Sequence, residues 1–399
     1  MPRALVIGSG VAGPATALFL QRAGWDVEVF EAAAEPDAYA GLFLNVATNG
    51  LAVLDRLGLR DRLVAAGHRA PEMVMWSSTG KRLGTVPNGP AREPERGSVV
   101  VRRGILHQVL REAVVQAGIP ITFGARRERI EQSDASVRAI FADGRTVVGD
   151  VVIGADGVGS PTRRHIDPDA PPPTYSGLVG LGGFARVPGL APTPDAQHMV
   201  FGRRSFFGYL VRDDGEVYWF ANVTRPDGDR AALRAVAAEE WLATLRELHA
   251  EDPYPVPQIL AHAGGEVGGY PIDDLAHVPH WSRGRVVAVG DAVHATSPSA
   301  GQGASLALED AVTLAACLRT APDHATAFAE YQRVRQPRAE AVVGYARAIN
   351  RQKRVTKTRL GIAVRDAMLP SFLRKAADDT RNDWLYNHEI AWDAAAPKS

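Results

Sequence analysis

Three glycines near the N-terminus constrain the fold more than any other part of the sequence. Gly8, Gly10 and Gly13 follow the apolar run RALVI at residues 3–7, which has the composition of a buried strand. Between a strand and a helix, the first glycine permits a tight turn, the second lets backbone approach a pyrophosphate, and the third lets the helix pack closely on the sheet. The spacing therefore predicts a dinucleotide-binding turn.

The segments after this turn complete a βαβ unit. The helix-like stretch Val11–Ala23 ends at Gly24, which can act as a C-cap, and the strand pattern DVEVFE runs from Asp26 to Glu31. The carboxylate of Glu31 can accept hydrogen bonds from the hydroxyls of an adenosine ribose. Because an acid at this place suits both NAD and FAD, the unit does not choose between the two cofactors.

Composition narrows the class of protein. The 399 residues are 46% hydrophobic and 23% charged, with a net charge of zero, which is ordinary for a globular enzyme with a full core. Zero net charge gives no reason to expect nucleic acid or a membrane as a partner. Cys317 is the only cysteine, and its apolar neighbours predict a buried side chain. One cysteine, no signal-peptide pattern and no apolar run of transmembrane length favour the cytoplasm.

The pattern of apolar residues changes along the chain. Residues 103–116 have helical spacing, and the strand-like runs after them meet at an Asp-Gly pair, residues 143–144, which favours a hairpin. Residues 171–225 are rich in glycine, proline and aromatic residues and predict an antiparallel sheet. The C-terminal part is mostly helical, with Pro337 expected to break or kink a helix. We therefore predict an α/β fold with a second sheet and C-terminal helices.

A second motif is VVIGADGVGSPTR at residues 151–163. A buried strand delivers Asp156 between small residues, and Ser160 and Arg163 follow. Taken alone, the motif is equally compatible with an ordinary Asp-Gly turn.

A third motif is GDAVHATSPSAGQGAS at residues 290–305. Asp291 follows an apolar strand pattern and can reach polar groups of a ligand. Pro298 fixes a turn, and Gly301-Gln302-Gly303 leads into a helix whose free N–H groups can stabilise an anion. His294 within the motif is interpreted as a structural histidine, with a catalytic role as the alternative. No HExxH or comparable metal-ligand spacing is present, so no metal site is predicted.

The three motifs, in this order and spacing, resemble the single-component FAD-dependent aromatic monooxygenases, group A, which have the p-hydroxybenzoate hydroxylase fold. The resemblance spans roughly residues 3–345. It implies a Rossmann-like FAD-binding domain with an inserted antiparallel-sheet substrate domain and C-terminal helices. The expected division is 1–71 with 101–170 and 281–324 for the FAD-binding domain, 72–100 with 171–280 for the substrate domain, and 325–399 for the C-terminal helical segment.

The resemblance also implies roles for individual residues. Those expected to bind the cofactor are Gly8, Gly10 and Gly13 at the pyrophosphate, Glu31 at the adenosine ribose, Gly41 in a loop beside the flavin, Arg103 at the phosphate or ribityl region, Asp156 at FAD or NAD(P)H, Asp291 at the ribityl chain, and Gly301, Gln302 and Gly303 at the flavin ring. Pro298 is expected at the reactive face of the ring, with no acid or base residue assigned. Ser305 stands where the family usually carries Asn, and its meaning stays open.

The substrate is expected between the flavin and the sheet of residues 171–225. The candidates for the pocket wall are Phe207, Tyr209 and Trp219, for which burial in the core is the alternative. Such an apolar pocket suggests an aromatic or polyketide-like small molecule, in keeping with secondary metabolism.

The activity implied by the resemblance is hydroxylation that depends on NAD(P)H and O2, through a C4a-hydroperoxyflavin. The alternatives are epoxidation or Baeyer–Villiger insertion on the same scaffold, or an FAD-dependent oxidoreductase without oxygenation. A plain NAD-dependent dehydrogenase would account for the βαβ unit at residues 3–31, but it would leave the motif at residues 290–305 without a function. The choice between NADH and NADPH is open, and either a monomer or a homodimer is expected.

Overall fold

The computed structural model describes residues 1–35, 41–226, 229–265, 267–352, 358–377, 380–390 and 392. Its strands are β1 (Arg3–Ile7), β2 (Asp26–Phe30), β3 (Phe43–Val46), β4 (His68–Arg69), β5 (Glu72–Ser77), β6 (Arg82–Pro87), β7 (Val99–Arg102), β8 (Ile121–Thr122), β9 (Arg127–Gln132), β10 (Val137–Phe141), β11 (Thr146–Gly149), β12 (Val151–Gly154), β13 (Thr174–Arg186), β14 (Ala196–Phe201), β15 (Phe206–Val211), β16 (Glu216–Thr224), β17 (Gly268–Asp274), β18 (Ser282–Arg283) and β19 (Val286–Ala288).

The helices lie between and after these strands. They are α1 (Ala12–Arg22), α2 (Thr48–Arg56), α3 (Arg60–Ala66), α4 (Arg103–Gln116), α5 (Pro161–Ile166), α6 (Arg230–Ala235), α7 (Ala238–Leu248), α8 (Val256–His262), α9 (Asp291–His294), α10 (Gly303–Thr320), α11 (His324–Gln352), α12 (Arg359–Ala377) and α13 (Asp383–Tyr386), with 3-10 turns at Pro94–Arg96, Pro298–Ala300 and Thr380–Asn382.

The first sheet has six strands in the order β18-β19-β12-β1-β2-β8. β1 lies at its centre and pairs in parallel with β2 on one side and β12 on the other. Both faces are covered, because α1 packs on β2 and on α10, and α5 packs on β19. The apolar runs of β1, β12 and β19 are therefore buried on both sides, as expected for a parallel sheet.

The second sheet has seven strands in the order β17-β13-β16-β15-β14-β5-β6. Its strands come from residues 72–87, 174–224 and 268–274, so the chain leaves the first sheet twice to build it. All neighbours pair antiparallel except β5 and β14, which are parallel. α7 and α8 cover one face with a core of their own. The other face is directed towards the first sheet.

Two smaller sheets connect and flank these layers. One has the order β3-β7-β4, and the other is the meander β11-β10-β9. The hairpin predicted at residues 143–144 is present between β10 and β11. The burial predicted for Cys317 is also present, and burial raises the pKa of its thiol to about 11.

Pro337 does not break the C-terminal helix. α11 continues from His324 through Pro337 to Gln352, so the expected break is absent, and the alternative expectation of a kink stays a prediction. The helix is tied down on both sides of the proline, because Arg335 and Arg338 bind buried acidic groups of α10. These tertiary contacts outweigh the one backbone hydrogen bond that a proline removes. Among the described helices, none is long and apolar enough to cross a membrane.

Candidate active site

A large cavity of about 1130 Å³ lies between the first sheet and the open face of the second. Its lining on one side includes Gly10, Asp291 and Gly303, at the carboxyl ends of the parallel strands. Its lining on the other side includes Met199 and Phe220 of the second sheet. Ligands of doubly wound proteins bind at this edge of a parallel sheet. The residues predicted to bind the cofactor and the residues of the second sheet therefore line the same cavity.

The glycine turn has the geometry that its spacing predicts. Gly8 has a φ of +111°, and a Cβ there would lie 2.3 Å from the carbonyl oxygen of Ala155. A Cβ on Gly13 would lie 1.9 Å from the carbonyl oxygen of Gly8, so only glycine lets α1 start this close to β1. A Cβ on Gly10 would meet nothing within 4 Å, and Gly10 lines the cavity. The turn therefore leaves no room for a side chain at Gly8 or Gly13, whereas the space beside Gly10 is open to a ligand.

Glu31 follows β2 and binds the glycine turn directly. Its Oε2 accepts a hydrogen bond of 2.7 Å from the backbone N–H of Ser9, and its Oε1 accepts one of 2.8 Å from Ala33. The carboxylate is therefore fixed beside the turn. Each oxygen keeps a second lone pair for a hydroxyl donor.

Arg103 and Gly41 are neighbours on the cavity wall. Arg103 is the first residue of α4, and its N–H donates to the carbonyl of Leu42 at 2.9 Å. A Cβ on Gly41 would approach the Arg103 side chain to 3.1 Å, so a larger residue would displace the guanidinium. Arg102 is occupied elsewhere, in a 2.5 Å ion pair with Glu216. This leaves Arg103 as the arginine of the pair that faces the cavity.

The carboxylate of Asp156 makes hydrogen bonds at the start of α5. Its Oδ2 accepts hydrogen bonds from the N–H and the hydroxyl of Thr162, at 3.0 and 2.7 Å, and its Oδ1 accepts one from Ser160. Arg127 lies 3.5 Å away. Asp156 is not among the residues that line the cavity, whereas its neighbour Gly157 is. Its oxygens bind the start of α5, and its expected role at FAD or NAD(P)H stays a prediction.

Asp291 is exposed to the cavity at the start of α9, and a buried acid positions it. The N–H of Gly290 donates to Oδ2 of Asp310 at 2.8 Å, and Nε2 of His294 lies 2.6 Å from the same oxygen. Nε of Arg335 donates to the other oxygen, Oδ1, at 2.8 Å. Asp310 thus holds both ends of the short α9 helix.

The sequence analysis missed this buried charge cluster. Glu309, beside Asp310 on α10, binds Arg335 at 2.5 Å and Arg338 at 2.7 Å. The two adjacent acids within the apolar run LALEDAV could have indicated such a cluster, because buried carboxylates need cationic partners. His294 belongs to this cluster, in agreement with its interpretation as a structural histidine.

The pKa values of the central pair are shifted in opposite directions. Burial alone would raise the pKa of Asp310, but His294 and Arg335 outweigh burial and lower it. Burial alone would lower the pKa of His294, but the carboxylate of Asp310 outweighs burial and raises it. Both shifts favour the charged forms of the two side chains, and therefore favour an ion pair between them.

The Gly301-Gln302-Gly303 turn forms the start of α10. Gly301 has a left-handed φ of +63°, and its carbonyl accepts a hydrogen bond from Nδ2 of Asn45 at 3.3 Å. Gln302 is buried in the wall of the cavity, where its Oε1 accepts a hydrogen bond of 3.0 Å from Asn49 and its Nε2 has no hydrogen-bond partner. No side chain caps the first turn of α10. Gly303 therefore offers backbone N–H groups and a positive helix end to the cavity.

Ser305, which the sequence left open, has a structural explanation. Its side chain is buried, and its hydroxyl accepts a 3.1 Å hydrogen bond from the N–H of Ala47, just before α2. A Cβ on Gly50 would lie 2.5 Å from this hydroxyl oxygen. Serine thus joins α10 to α2 at a point with no room for a longer side chain.

The three aromatic residues predicted for the substrate wall lie on the opposite face of the sheet. Phe207, Tyr209 and Trp219 are buried in the core with α7 and α8, and none of them lines the cavity. Side chains alternate along a strand, so the neighbouring positions face the cavity instead. The prediction was therefore wrong by one residue on each strand. The residues of β5, β14, β15 and β16 that line the cavity are Met73, Met75, Gln197, Met199, Phe201, Phe206, Phe220, Ala221 and Asn222.

The cavity fits FAD on the evidence of its own residues. The first turns of α1 and α10 both lack a side-chain cap, and residues of both line the cavity. Two such helix ends suit a ligand with a pyrophosphate and a second electron-rich group. Pro298, exposed in a 3-10 turn between Asp291 and Gly303, lies on the same wall. In the described part of the chain, no group of three His, Cys, Asp or Glu residues could hold a metal ion.

Comparison with known proteins supports the same assignment. Residues 2–346 match the family model described as FAD binding domain. The chain is 32% identical over 361 residues to a 6-hydroxynicotinate 3-monooxygenase of Bordetella bronchiseptica, which covers 86% of this chain and 89% of that protein. It is 30% identical over 341 residues to an aurachin C monooxygenase/isomerase of Stigmatella aurantiaca, covering 85% and 86%.

A solved structure is similar over almost the whole chain. This is Klebsiella pneumoniae HpxO complexed with FAD and uric acid, with a TM-score of 0.83 and 26% sequence identity. The similarity covers 95% of this chain and 96% of that one.

Replacing Asp291 with alanine is expected to weaken FAD binding. One charge-assisted hydrogen bond contributes about 1.5–3 kcal/mol, so the Kd for FAD should rise roughly 10- to 100-fold. Titration of the apoprotein with FAD, followed by flavin fluorescence, measures this change. Asp61→Ala, at an exposed acid of α3, is the matched control. An unchanged Kd for Asp291→Ala would contradict the position assigned to this carboxylate.

His294→Asn is expected to have a pH-dependent effect on stability. The pKa of His294 is raised in the folded state, so its stabilisation is fully present below the unfolded value of about 6.5. The stabilisation is lost as the pH rises through the folded pKa. Urea unfolding between pH 5.5 and 9 should show the gap between wild type and variant shrinking as pH rises. His262→Asn, at an exposed site, serves as control. A gap that widens with pH would contradict the ion pair.

Proposed function

The chain belongs to the single-component FAD-dependent aromatic monooxygenases, and from this premise we propose that it oxygenates an uncharged, largely apolar aromatic molecule bound against the second sheet. Its cofactor is FAD. One observation carries the proposal: a single cavity is lined on one side by the residues that fit FAD and on the other by an apolar sheet face.

FAD, when bound, accepts electrons from NAD(P)H and activates O2 for transfer of one oxygen atom to the substrate. The chain's own residues prepare the space for this chemistry. The uncapped start of α10 at Gly303 presents partial positive charge, which would favour a negatively charged cofactor group bound there. Asp291, fixed by Asp310, would hold the ribityl chain. Pro298 would limit how closely a substrate approaches the ring.

The substrate wall consists mainly of thioether and aromatic side chains. Met199 and Phe220 lie in one row of the sheet, because both strands place them opposite Gly208. The small Gly208 leaves a hollow between them, and Phe220 fills part of it. Such a wall excludes water and packs against a flat ring. It would orient a substrate mainly by shape.

Two carboxamides supply the polar groups of this wall. Gln197 is buried beside the cavity, and Asn222 is one of the lining residues; the Oδ1 atom of Asn222 is buried and has no hydrogen-bond partner. A buried carboxamide without a partner is costly unless a ligand satisfies it. The substrate would therefore carry a hydroxyl or N–H group that meets Asn222.

Among the described residues, three arginines line the cavity, and one of them, Arg365, lies 5.5 Å from the ring of Phe201 on the sheet wall. Arg365 is paired with Asp366 at 3.0 Å, and Arg103 lies in the part that fits FAD. Arg234 is exposed on α6, close to the carboxylate of Asp273. Because Arg365 is already paired with Asp366, a carboxylate on the substrate would compete with that acid, which supports an uncharged substrate.

The compartment, the co-substrate and the oligomeric state are proposed from the sequence. With one buried cysteine the protein needs no oxidising compartment, so we propose that it works in the cytoplasm with NAD(P)H as a transient co-substrate. We keep the monomer and the homodimer as the expected states and expect no nucleic acid partner. Epoxidation, Baeyer–Villiger insertion and oxidation without oxygenation are distinguished by the product.

A matched pair of probes tests the proposed substrate class. We expect 2-naphthol to accelerate NAD(P)H-dependent bleaching of the flavin in stopped-flow experiments more strongly than 6-hydroxy-2-naphthoate, which adds a carboxylate. With ¹⁸O2, mass spectrometry should find one labelled oxygen in the product. Preference for the carboxylate would contradict the uncharged class. Hydrogen peroxide as the only product from every phenol tested would contradict oxygenation.

Asn222→Leu is expected to raise the KM for 2-naphthol. One neutral hydrogen bond contributes about 0.5–1.5 kcal/mol, so KM should rise roughly 3- to 10-fold while flavin binding is unchanged. The fraction of NAD(P)H oxidation coupled to product should also fall, because the ring is less well oriented. Thr224→Val, at the exposed end of the same strand, is the control. An unaltered KM and coupling would remove Asn222 from the substrate site.

A further inference from the structure

A row of directly opposed residues crosses the cavity face of the second sheet. From β16 to β6 its members are Phe220, Gly208, Met199, Met75 and Gly84, each directly opposite the next. Neighbouring strands lie about 4.8 Å apart, so this row, here called the trough, is roughly 19 Å long. The side chains of Phe220, Met199 and Met75 all line the cavity. A single aromatic ring would cover only part of the trough.

The helix α12 closes the far end of the trough. A Cβ on Gly84 would lie 3.0 Å from the Cβ of Leu373, so α12 lies over β6 on the face that carries Met75. Leu373 and Leu369, one helical turn earlier, both line the cavity. The cavity therefore extends along the trough as far as α12.

Polar contacts on its packed side fix α12 at this edge of the sheet. Asp366 is buried, its carboxylate accepts a hydrogen bond from Ser77, and its carbonyl accepts one of 3.0 Å from Lys81. α12 begins at Arg359, after the residues 2–346 that match the family model. The end of the trough is therefore built by a segment to which membership of the family assigns no role.

The opposite end of the trough lies beside the part of the cavity that fits FAD. The ring of Phe43, two residues after Gly41, lies 6.1 Å from the ring of Phe220. Asn222 is two residues from Phe220 on the same strand, so both belong to the same face of the sheet. A ring that packs on Phe220 and directs its hydroxyl to Asn222 would direct its far edge across the sheet, towards Met75.

The stretch of the trough between Met75 and α12 has an apolar lining. It consists of two thioethers and three branched aliphatic side chains, which are Met73, Met75, Val86, Leu369 and Leu373. Arg365, which also lines the cavity from α12, is paired with Asp366 at 3.0 Å and lies over the ring of Phe201. Flexible thioethers adapt to irregular apolar groups. The lining therefore suits a flexible aliphatic chain.

On the basis of the proposed function, we propose that the aromatic substrate carries an aliphatic chain on the side of its ring away from the hydroxyl. The chain lies in the trough between Met75 and α12, where its burial removes apolar surface from water. Leu369 and Leu373 limit the length of chain that the trough accepts. Leu369 is therefore a specificity-determining residue.

Three ligands that share one ring test the proposal in the absence of NAD(P)H. The FAD-loaded protein is titrated with 2-naphthol, 6-hexyl-2-naphthol and 3-hexyl-2-naphthol, and the change in flavin absorbance gives each Kd. A buried methylene tightens binding about fourfold, so with half of the chain buried the 6-hexyl compound should bind roughly 60-fold more tightly than 2-naphthol. The 3-hexyl isomer is equally apolar but carries its chain beside the hydroxyl, and it should gain little. A 6-hexyl compound that binds no more tightly than 2-naphthol, or than its 3-hexyl isomer, would overturn the proposal.

A substitution on α12 tests the end of the trough. Leu369→Trp should raise the Kd for 6-hexyl-2-naphthol roughly 15-fold, which corresponds to about two displaced methylene groups, and leave the Kd values for 2-naphthol and FAD unchanged. Met368→Trp is the matched control, because Met368 is 69% exposed on the same helix and does not line the cavity. An unchanged Kd for the hexyl compound in Leu369→Trp, or an equal loss for both ligands, would contradict the role of Leu369.

A reaction with ¹⁸O2 separates this proposal from the proposed function. The titrations involve no turnover, so they report on the chain alone. Tight binding of 6-hexyl-2-naphthol without a labelled product would contradict oxygenation and support the position of the chain. A labelled product from 2-naphthol, without tighter binding of the 6-hexyl compound, would overturn the position of the chain and leave the proposed function intact.

Discussion

The carboxylate of Asp310 is the interaction on which the cofactor side of the site depends. It is buried and accepts the N–H of Gly290 and a bond from His294, so it fixes both ends of α9 and the position of Asp291 between them. Arg335 neutralises it from α11. A buried charge of this kind is unfavourable without such partners. The FAD-binding edge and the C-terminal helix are therefore energetically connected.

A second constraint is which of the two alternating sets of side chains in the seven-stranded sheet faces the cavity. Phe207 and Trp219 pack against α7 and α8, which leaves the alternate positions, among them Phe220 and Asn222, for the cavity. A shift of one residue in any of these strands would exchange core and pocket. The register that stabilises the second core therefore also decides which side chains line the cavity.

Local patterns predicted the parts of the fold that depend on local geometry. The glycine turn, Glu31, and Asp291 at a strand end could be located because each needs one residue type at one place in a βαβ unit. The face of the second sheet could not be predicted, because both alternating sets contain aromatic residues and only the helices that cover one face distinguish them. The role of Ser305 likewise depends on Ala47, which is distant in sequence.

The central claim is that FAD and substrate share one cavity between the two sheets. A crystal structure of the FAD-loaded protein tests it most directly. We expect the flavin ring to lie between the start of α10, at Gly303, and the sheet residues Met199 and Phe220, with the ribityl chain at Asp291. A flavin ring bound outside this cavity, or one covered by the opposite face of the sheet with Phe207 and Trp219, would contradict the account.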